Sequence, residues 1–247
     1  MDRIAHTSLT AMRAAMARQA ATANNLANAG TTGFRSDVAA SQAVYLQQDG
    51  EVFGARAAEQ VLSADMSAGT VTHTGRTMDI ALSGDALLAV QAQNGDEAYT
   101  RRGDLQVSET GLVTTGDGRP VMAEGGPLTL PPADSVRIDA DGKVWIVPVG
   151  GDPANPTEVD RLKLVSPTGS DVVKGLDGLF RVRGDGTLPS DPEARLTAGS
   201  LEGSNVNTTQ SLIDMIEASR AWDTQVNLLT SARELDTSAA DLMRLPS

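Results

Sequence analysis

The stretch Leu212-Ile213-Asp214-Met215-Ile216-Glu217-Ala218-Ser219-Arg220-Ala221-Trp222-Asp223-Thr224-Gln225-Val226-Asn227-Leu228-Leu229 sets Leu212, Met215, Ser219, Trp222, Val226 and Leu229 at alternating steps of three and four. That spacing lays a narrow seam along a helix for another helix to fill, as in coiled-coil packing. Leu228, Leu235 and Leu242 mark a second stripe on the same segment. The other end of the chain repeats the pattern, with Ala5, Leu9, Met12, Met16, Gln19, Ala23 and Leu26 stepping by four and three. Neither end is secure alone, so the two are expected to pack together and against other copies. The arrangement suggests a building block before it suggests an enzyme.

Between the ends the period changes. From Met78 onward, short apolar runs such as Leu87-Leu88-Ala89-Val90 and Val144-Trp145-Ile146-Val147 alternate with turn signals at Asn94-Gly95, Thr110-Gly111 and Asp141-Gly142. This punctuation predicts an all-β sandwich or barrel-like domain. The first helix is expected from about Ile4 to Asn28, stopped by Gly30 and Gly33 in left-handed dihedrals. The last is expected to begin after Asn207 or Thr208 as cap and to reach about Arg244. At 1.5 Å per residue these are rods of roughly 36 and 55 Å. The fold class is therefore α+β: a discontinuous coiled-coil-like helical domain from both termini plus an all-β middle domain. Its expected parts are residues 1–33 (first axial helix), 34–76 (linker or extended arm), 77–203 (β domain) and 204–247 (second axial helix).

The chain's 247 residues suffice for one large or two modest domains with a real core. A net charge of −12 argues against a general nucleic-acid binder, since no basic surplus is available to replace phosphate counterions. Its distribution is uneven. Arg3, Arg13, Arg18 and Arg35 outnumber Asp2 and Asp37 at the start, whereas residues 201–247 carry an acidic excess. Opposite signs favour pairing of the two ends, although exposed ion pairs contribute under ~1 kcal/mol each. The absence of cysteine excludes disulfides, thiolate catalysis and Cys-type zinc sites. Met1 to Thr7 lack the apolar run of a secretory signal, and no stretch approaches the ~20 apolar residues of a membrane span. Neither a cleavable leader nor membrane insertion is expected.

The run Asn24-Asn25-Leu26-Ala27-Asn28-Ala29-Gly30-Thr31-Thr32-Gly33-Phe34-Arg35 resembles the N-terminal signature of the bacterial flagellar rod and hook family. Leu201-Glu202-Gly203-Ser204-Asn205-Val206 is similar to the segment that opens the family's last helix. Met78 to Gly84, Tyr99-Thr100-Arg101-Arg102-Gly103 and Gly111-Leu112-Val113-Thr114 supply further matches in the family's order, over nearly the whole chain. The opening Met1-Asp2-Arg3, the Gly33-Phe34-Arg35 form and the short length resemble proximal-rod members more than distal rod or hook. One departure is Leu87-Leu88, where the family often has an aromatic pair.

The resemblance implies an axial subunit whose terminal helices pack into an inner tube with the β domain outside. It implies export by the flagellar type III apparatus, a place in the basal-body rod across the periplasm, and partners that are other copies and neighbouring rod proteins. The assembly interface is then expected at Leu9, Met12, Met16, Ala23, Asn24, Asn25, Leu26, Asn28, Gly33 and Phe34, and at Leu212, Met215, Trp222, Val226, Leu228, Leu229, Leu235 and Leu242.

Residues that carry chemistry are sparse. His6 and His73 are the two histidines, too few for a transition-metal set without cysteine. Arg137 to Pro148 fails as a calcium loop at its first and twelfth positions. Gly116-Asp117-Gly118 and Gly184-Asp185-Gly186 do not follow the dinucleotide pattern. Glu97, Asp104 and Glu109 are the acids that a glycosidase pair would need, so the alternative of another class is a periplasmic carbohydrate-binding or hydrolysing β domain with helical oligomerisation arms. The expected reading has no cofactor, no metal and no catalytic residue.

Overall fold

A computed structural model describes residues 2–48, 51–184 and 186–243. The side chains of Leu9, Leu229, Leu235 and Leu242, four of the expected interface residues, lie outside the described set. The fold is α+β, with helix α1 over Asp2–Ala27, helix α2 over Thr208–Met243, and strands between them. The chain divides into two compact units: residues 1–27, 37–63 and 207–247 form the first, and residues 28–36 and 64–206 the second.

In the first unit α1 and α2 pack against each other, joined by the paired strands Asp37–Gln48 and Glu51–Ala64. Asn207 caps α2 as expected, its Oδ1 accepting the Gln210 amide at 3.1 Å and so satisfying one orphan donor of the first turn. The end of α1 differs from expectation. Gly33 alone takes the left-handed conformation (φ 66°), and Gly30 does not. The helix stops instead in a turn in which the Thr31 amide and hydroxyl both bond Asn28, to its carbonyl at 3.0 Å and its side-chain oxygen at 3.1 Å. Asparagine is suited to that work because its short amide competes with the helix for nearby backbone groups.

Residues 34–76, expected as a linker or arm, contain those two long strands and then join the second unit. The strands were hidden in the sequence because Asp37–Gln48 mixes alanine, serine and glutamine without an alternating apolar face.

The second unit is all-β. A five-stranded sheet runs in the spatial order Leu164–Val165, Leu87–Gln91, Glu97–Thr100, Phe180–Val182, Val172–Lys174. Ala133–Ile138, Lys143–Pro148 and Thr157–Arg161 form a second, antiparallel sheet, and two-stranded ladders complete the unit. The central strand Leu87–Gln91 explains the two adjacent leucines. Side chains alternate across a strand, so Leu88 and Val90 enter one apolar cluster with Ile80, Leu105, Val113 and Leu164. Leu87 and Ala89 enter another with Tyr99, Val165, Phe180 and Leu188. Both faces are covered, so neither leucine has to be aromatic.

Tyr99 is fully buried, with its hydroxyl donating to Glu97 Oε1 at 2.8 Å and accepting the Leu188 amide at 2.6 Å. Burial, opposed by the Leu188 amide and reinforced by Glu97, pushes the phenol up to about 12. The unfolded phenol ionises near 10 and releases its proton first, so stability contributed by Tyr99 is complete below pH 10 and is lost as pH rises toward 12. Urea unfolding across that interval is expected to show the decline, and Tyr99→Phe to flatten it.

Candidate functional site

The helical faces come first, because the sequence pointed to them. On α1, Ala15 and Ala21 are buried, whereas Met16 is 55% exposed and Gln19 and Ala23 face solvent; Met12 and Leu26 are half-buried. Alanine at the contact lets two helices approach closely, which turns the bulkier stripe outward. On α2, Ser211 is buried, and Met215 and Trp222 are half-buried. Leu212, Ile213, Ile216, Val226 and Leu228 are exposed. Met16 and Gln19 face Ser219 and Trp222 across a small depression. A larger groove of about 640 Å³ is lined by Ala15, Ala21, Ala218 and Ala221 together with Arg18, Asp37, Asp214 and Glu217. A soluble helix with this many exposed aliphatic side chains has surface left for a partner.

The asparagines do structural work. The Asn25 side chain pairs with both backbone groups of Asp37, donating to its carbonyl at 2.9 Å and accepting its amide at 2.7 Å. Asn24 donates to the Asp37 carboxylate at 2.5 Å. Together they fasten the first strand to the last turn of α1. Gly33 and Phe34, expected at the assembly surface, are instead buried in the second unit. The Gly33 amide bonds the Glu202 carbonyl at 2.7 Å, and the Lys174 ammonium sits 3.7 Å from the centre of the Phe34 ring.

The second unit holds a feature that sequence reading missed. Three stretches far apart in the chain meet at the carboxylate of Glu202, which is 1% exposed. Its Oε1 accepts Arg35 Nη2 and the Gly69 amide, each at 2.8 Å. Its Oε2 accepts Arg101 Nε at 2.9 Å and Nη2 at 2.6 Å. The remaining Arg101 bonds go to the carbonyls of Leu82, Gly84 and Ala86 at 2.7–2.8 Å, so all five of its N–H donors are used. Arg35 is less well served, since its Nε and Nη1 are buried with no hydrogen-bond partner.

Burial pushes the Glu202 carboxyl up, but Arg101, Arg35 and the Gly69 amide outweigh it and hold the group below its ordinary value. Burial likewise lowers Arg101, against the pull of Glu202. Asn205 extends the knot: it accepts the Ser36 amide at 2.7 Å and donates to the carbonyls of Asp65 and Ser67 at 2.9 and 3.0 Å. The segments that leave this unit for the helical one, around residues 28–36, 64–69 and 202–206, are thus all pinned at one place. Each stretch had been legible as a motif. Their convergence was not, because a buried arginine looks like any surface arginine in sequence.

The acids considered for hydrolysis are committed elsewhere. Glu97 holds Tyr99 and the Lys163 ammonium, the latter at 2.8 Å. Asp104 is gripped at both oxygens by Arg102, at 2.6 and 2.7 Å. Glu109 is exposed. The His73 ring lies 3.4 Å from the Ser200 hydroxyl, beside the ladder it shares with Ser200–Glu202. These arrangements hold strands and loops in place. Among the described residues, no helix is long and apolar enough to cross a membrane.

Comparison with known proteins adds three regional matches. Residues 6–35 match the flagella basal body rod protein family, residues 81–146 the flagellar hook protein FlgE/F/G D1 domain, and residues 197–242 the flagellar basal body rod FlgEFG protein C-terminal family. The flagellar basal-body rod protein FlgF of Salmonella typhimurium is 38% identical, over 99% of this chain and the whole of that protein. FlgF of Escherichia coli K12 is also 38% identical with the same coverage. The flagellar basal-body rod protein FlgG of Bacillus subtilis is 29% identical, over 90% of this chain and 91% of its own.

Proposed function

The chain belongs to the flagellar basal-body rod protein family, and on that premise we propose that it builds the proximal part of the rod, assembling helically through its terminal helices to carry torque across the periplasm. It is a structural protein of the basal body and not an enzyme, and its partners include other flagellar rod proteins. The observation that carries the proximal reading is the full-length identity of 38% to two FlgF proteins, against 29% to the FlgG relative. A distal rod or hook subunit is the same-class alternative.

In this reading α1 and α2 form a discontinuous coiled-coil-like axial domain, and the exposed stripe through Leu212, Val226 and Leu228 is buried against neighbours. A contact repeated with rotation and rise gives an open filament, so a subunit needs complementary surfaces on two sides. Export by the flagellar type III apparatus without a cleavable leader belongs to the same proposal.

The test is a charge on the seam. Trp222→Asp or Val226→Asp is expected to remove the subunit from purified basal bodies and abolish swimming, because an uncompensated charge buried in a helical interface costs several kcal/mol, roughly 3–5. Swimming cells with a normal content of either variant in their basal bodies would overturn the interface.

A further inference from the structure

Asn94-Gly95 is the single Asn-Gly pair in the chain, and every other asparagine is followed by a residue with a Cβ. Both residues are exposed, in the turn that joins Leu87–Gln91 to Glu97–Thr100. In an open chain this pair is chemically weak, because no Cβ on glycine hinders its backbone nitrogen. Once that nitrogen has given its proton to water, it can attack the Asn94 side-chain carbonyl carbon. The Cγ–N bond forms, ammonia leaves, and water opens the resulting succinimide to aspartate or isoaspartate. The net change is one water consumed and one ammonia released.

In the folded β unit each reacting group is otherwise engaged. The Gly95 amide donates to the Ala92 carbonyl at 3.0 Å. Asn94 Nδ2 donates to Asp96 Oδ2 at 2.5 Å, and its Oδ1 accepts the Asp96 amide at 3.3 Å. Attack would require the first bond to break and the carboxamide to turn away from Asp96 toward Gly95. The turn is also tied from its flanks. The Ala92 amide bonds the Asp96 carbonyl at 2.8 Å, and Gln91 Nε2 donates to the Gly95 carbonyl at 3.2 Å.

We propose that Asn94 is the site at which this chain undergoes spontaneous deamidation, and that Asp96 and the Ala92 carbonyl hold the reaction back while the β unit is folded. Deamidation then records opening of the hairpin, since only a turn that has released these bonds can close the five-membered ring. The products do not refit. An aspartate at 94 has no N–H for Asp96 and sets one carboxylate against another. An isoaspartate adds a methylene to the backbone between two neighbouring strands inside the five-stranded sheet. Their register, Gln91 opposite Glu97 and Leu88 opposite Thr100, depends on the length of that turn. Modification is therefore expected to loosen the hairpin that had prevented it.

The test uses purified full-length protein at mildly alkaline pH, with and without urea, and follows loss of the Asn94 amide by peptide mass spectrometry. The folded chain is expected to lose it at least about tenfold more slowly than the chain in urea, the equivalent of one charge-assisted hydrogen bond. Asp96→Ala should bring the folded rate toward the urea rate and leave the urea rate unchanged. Asp96→Asn keeps an acceptor oxygen for Nδ2, so it should stay near the parent. Equal rates with and without urea overturn the protection, as does a parental rate in folded Asp96→Ala. Rapid loss in Asp96→Asn at the parent's urea midpoint overturns the role of Asp96 as acceptor. Amide loss that comes first at another asparagine overturns the site.

Discussion

Glu202→Ala is expected to destabilise the β unit by about 3–5 kcal/mol, a large fraction of the roughly 5–15 kcal/mol that holds an ordinary domain folded. The reason is not loss of a favourable pair in itself. Arg35 and Arg101 would remain as two buried cations with their shared anion gone, at side chains that are each 1% exposed. Arg35→Met should cost far less, within roughly 1 kcal/mol of the parent, because it removes a guanidinium already short of acceptors and leaves Glu202 matched to Arg101. Urea unfolding of purified protein checks both. Equal losses from Glu202→Ala and Arg35→Met would show that contact area, and not charge balance, sets the strength of the knot.

The same carboxylate gives a pH signature. Its folded value lies below the unfolded one, so its contribution is complete above the ordinary glutamate range and is lost as pH falls through the depressed value. In Glu202→Gln the acid limb of the stability curve should therefore be shallower than in the parent.

Gly33→Ala is the second large effect. Its φ of 66° is strained for any residue with a Cβ, at a cost of about 1–2 kcal/mol. The added carbon would also lie 2.4 Å from the carbonyl carbon and oxygen of Arg101, which is backbone and has little room to yield. Overpacking of that kind adds about 1–3 kcal/mol, so a total near 3 kcal/mol is expected. Gly30→Ala is the control three residues away. Nothing lies within 4 Å of its would-be Cβ, and its φ is not positive. That substitution should be neutral or slightly stabilising, by up to ~1 kcal/mol. If the two glycines respond alike in urea midpoint, the close approach of residue 33 to Arg101 is not a constraint on the fold.

The placement of Arg101 beside Gly33 also shows where reading by pattern stops. Period-2 runs from Met78 onward announced strands, and the three-and-four spacing at both ends announced helices, because burial of one face imposes its repeat on the sequence. Asn207 was legible as a cap because capping is local, an oxygen reaching an amide three residues on. Gly30 was misjudged for the complementary reason. Two glycines four and seven residues past Leu26 look equivalent, and only the neighbour at Arg101 makes one of them necessary.

The candidate assembly faces were half legible. Spacing identified a stripe through Met16 and Trp222, but which stripe turns inward depends on how close two helices come. The small residues Ala15 and Ala21, unremarked in the sequence, take the inner position and leave Met16 outside. The paired strands over residues 37–48 and 51–64 were illegible, since a ribbon without an alternating apolar face carries no periodic signal.

What the sequence alone determined about this protein is therefore what is written within a few residues: the α+β class, helices at both ends, an all-β middle, the α2 cap, and the motif strings that resemble the rod and hook family. The tertiary structure decided what depends on residues 101, 138 and 167 positions apart coming together. It made Glu202 the common acceptor of Arg35 and Arg101, bound Asn205 to Ser67 and Ser36, and left in the helical unit a groove lined by Arg18, Asp214 and Glu217. The physical division is one of range. Backbone dihedrals and side-chain periodicity are set locally, whereas desolvation and charge pairing act on whichever groups the folded chain makes neighbours.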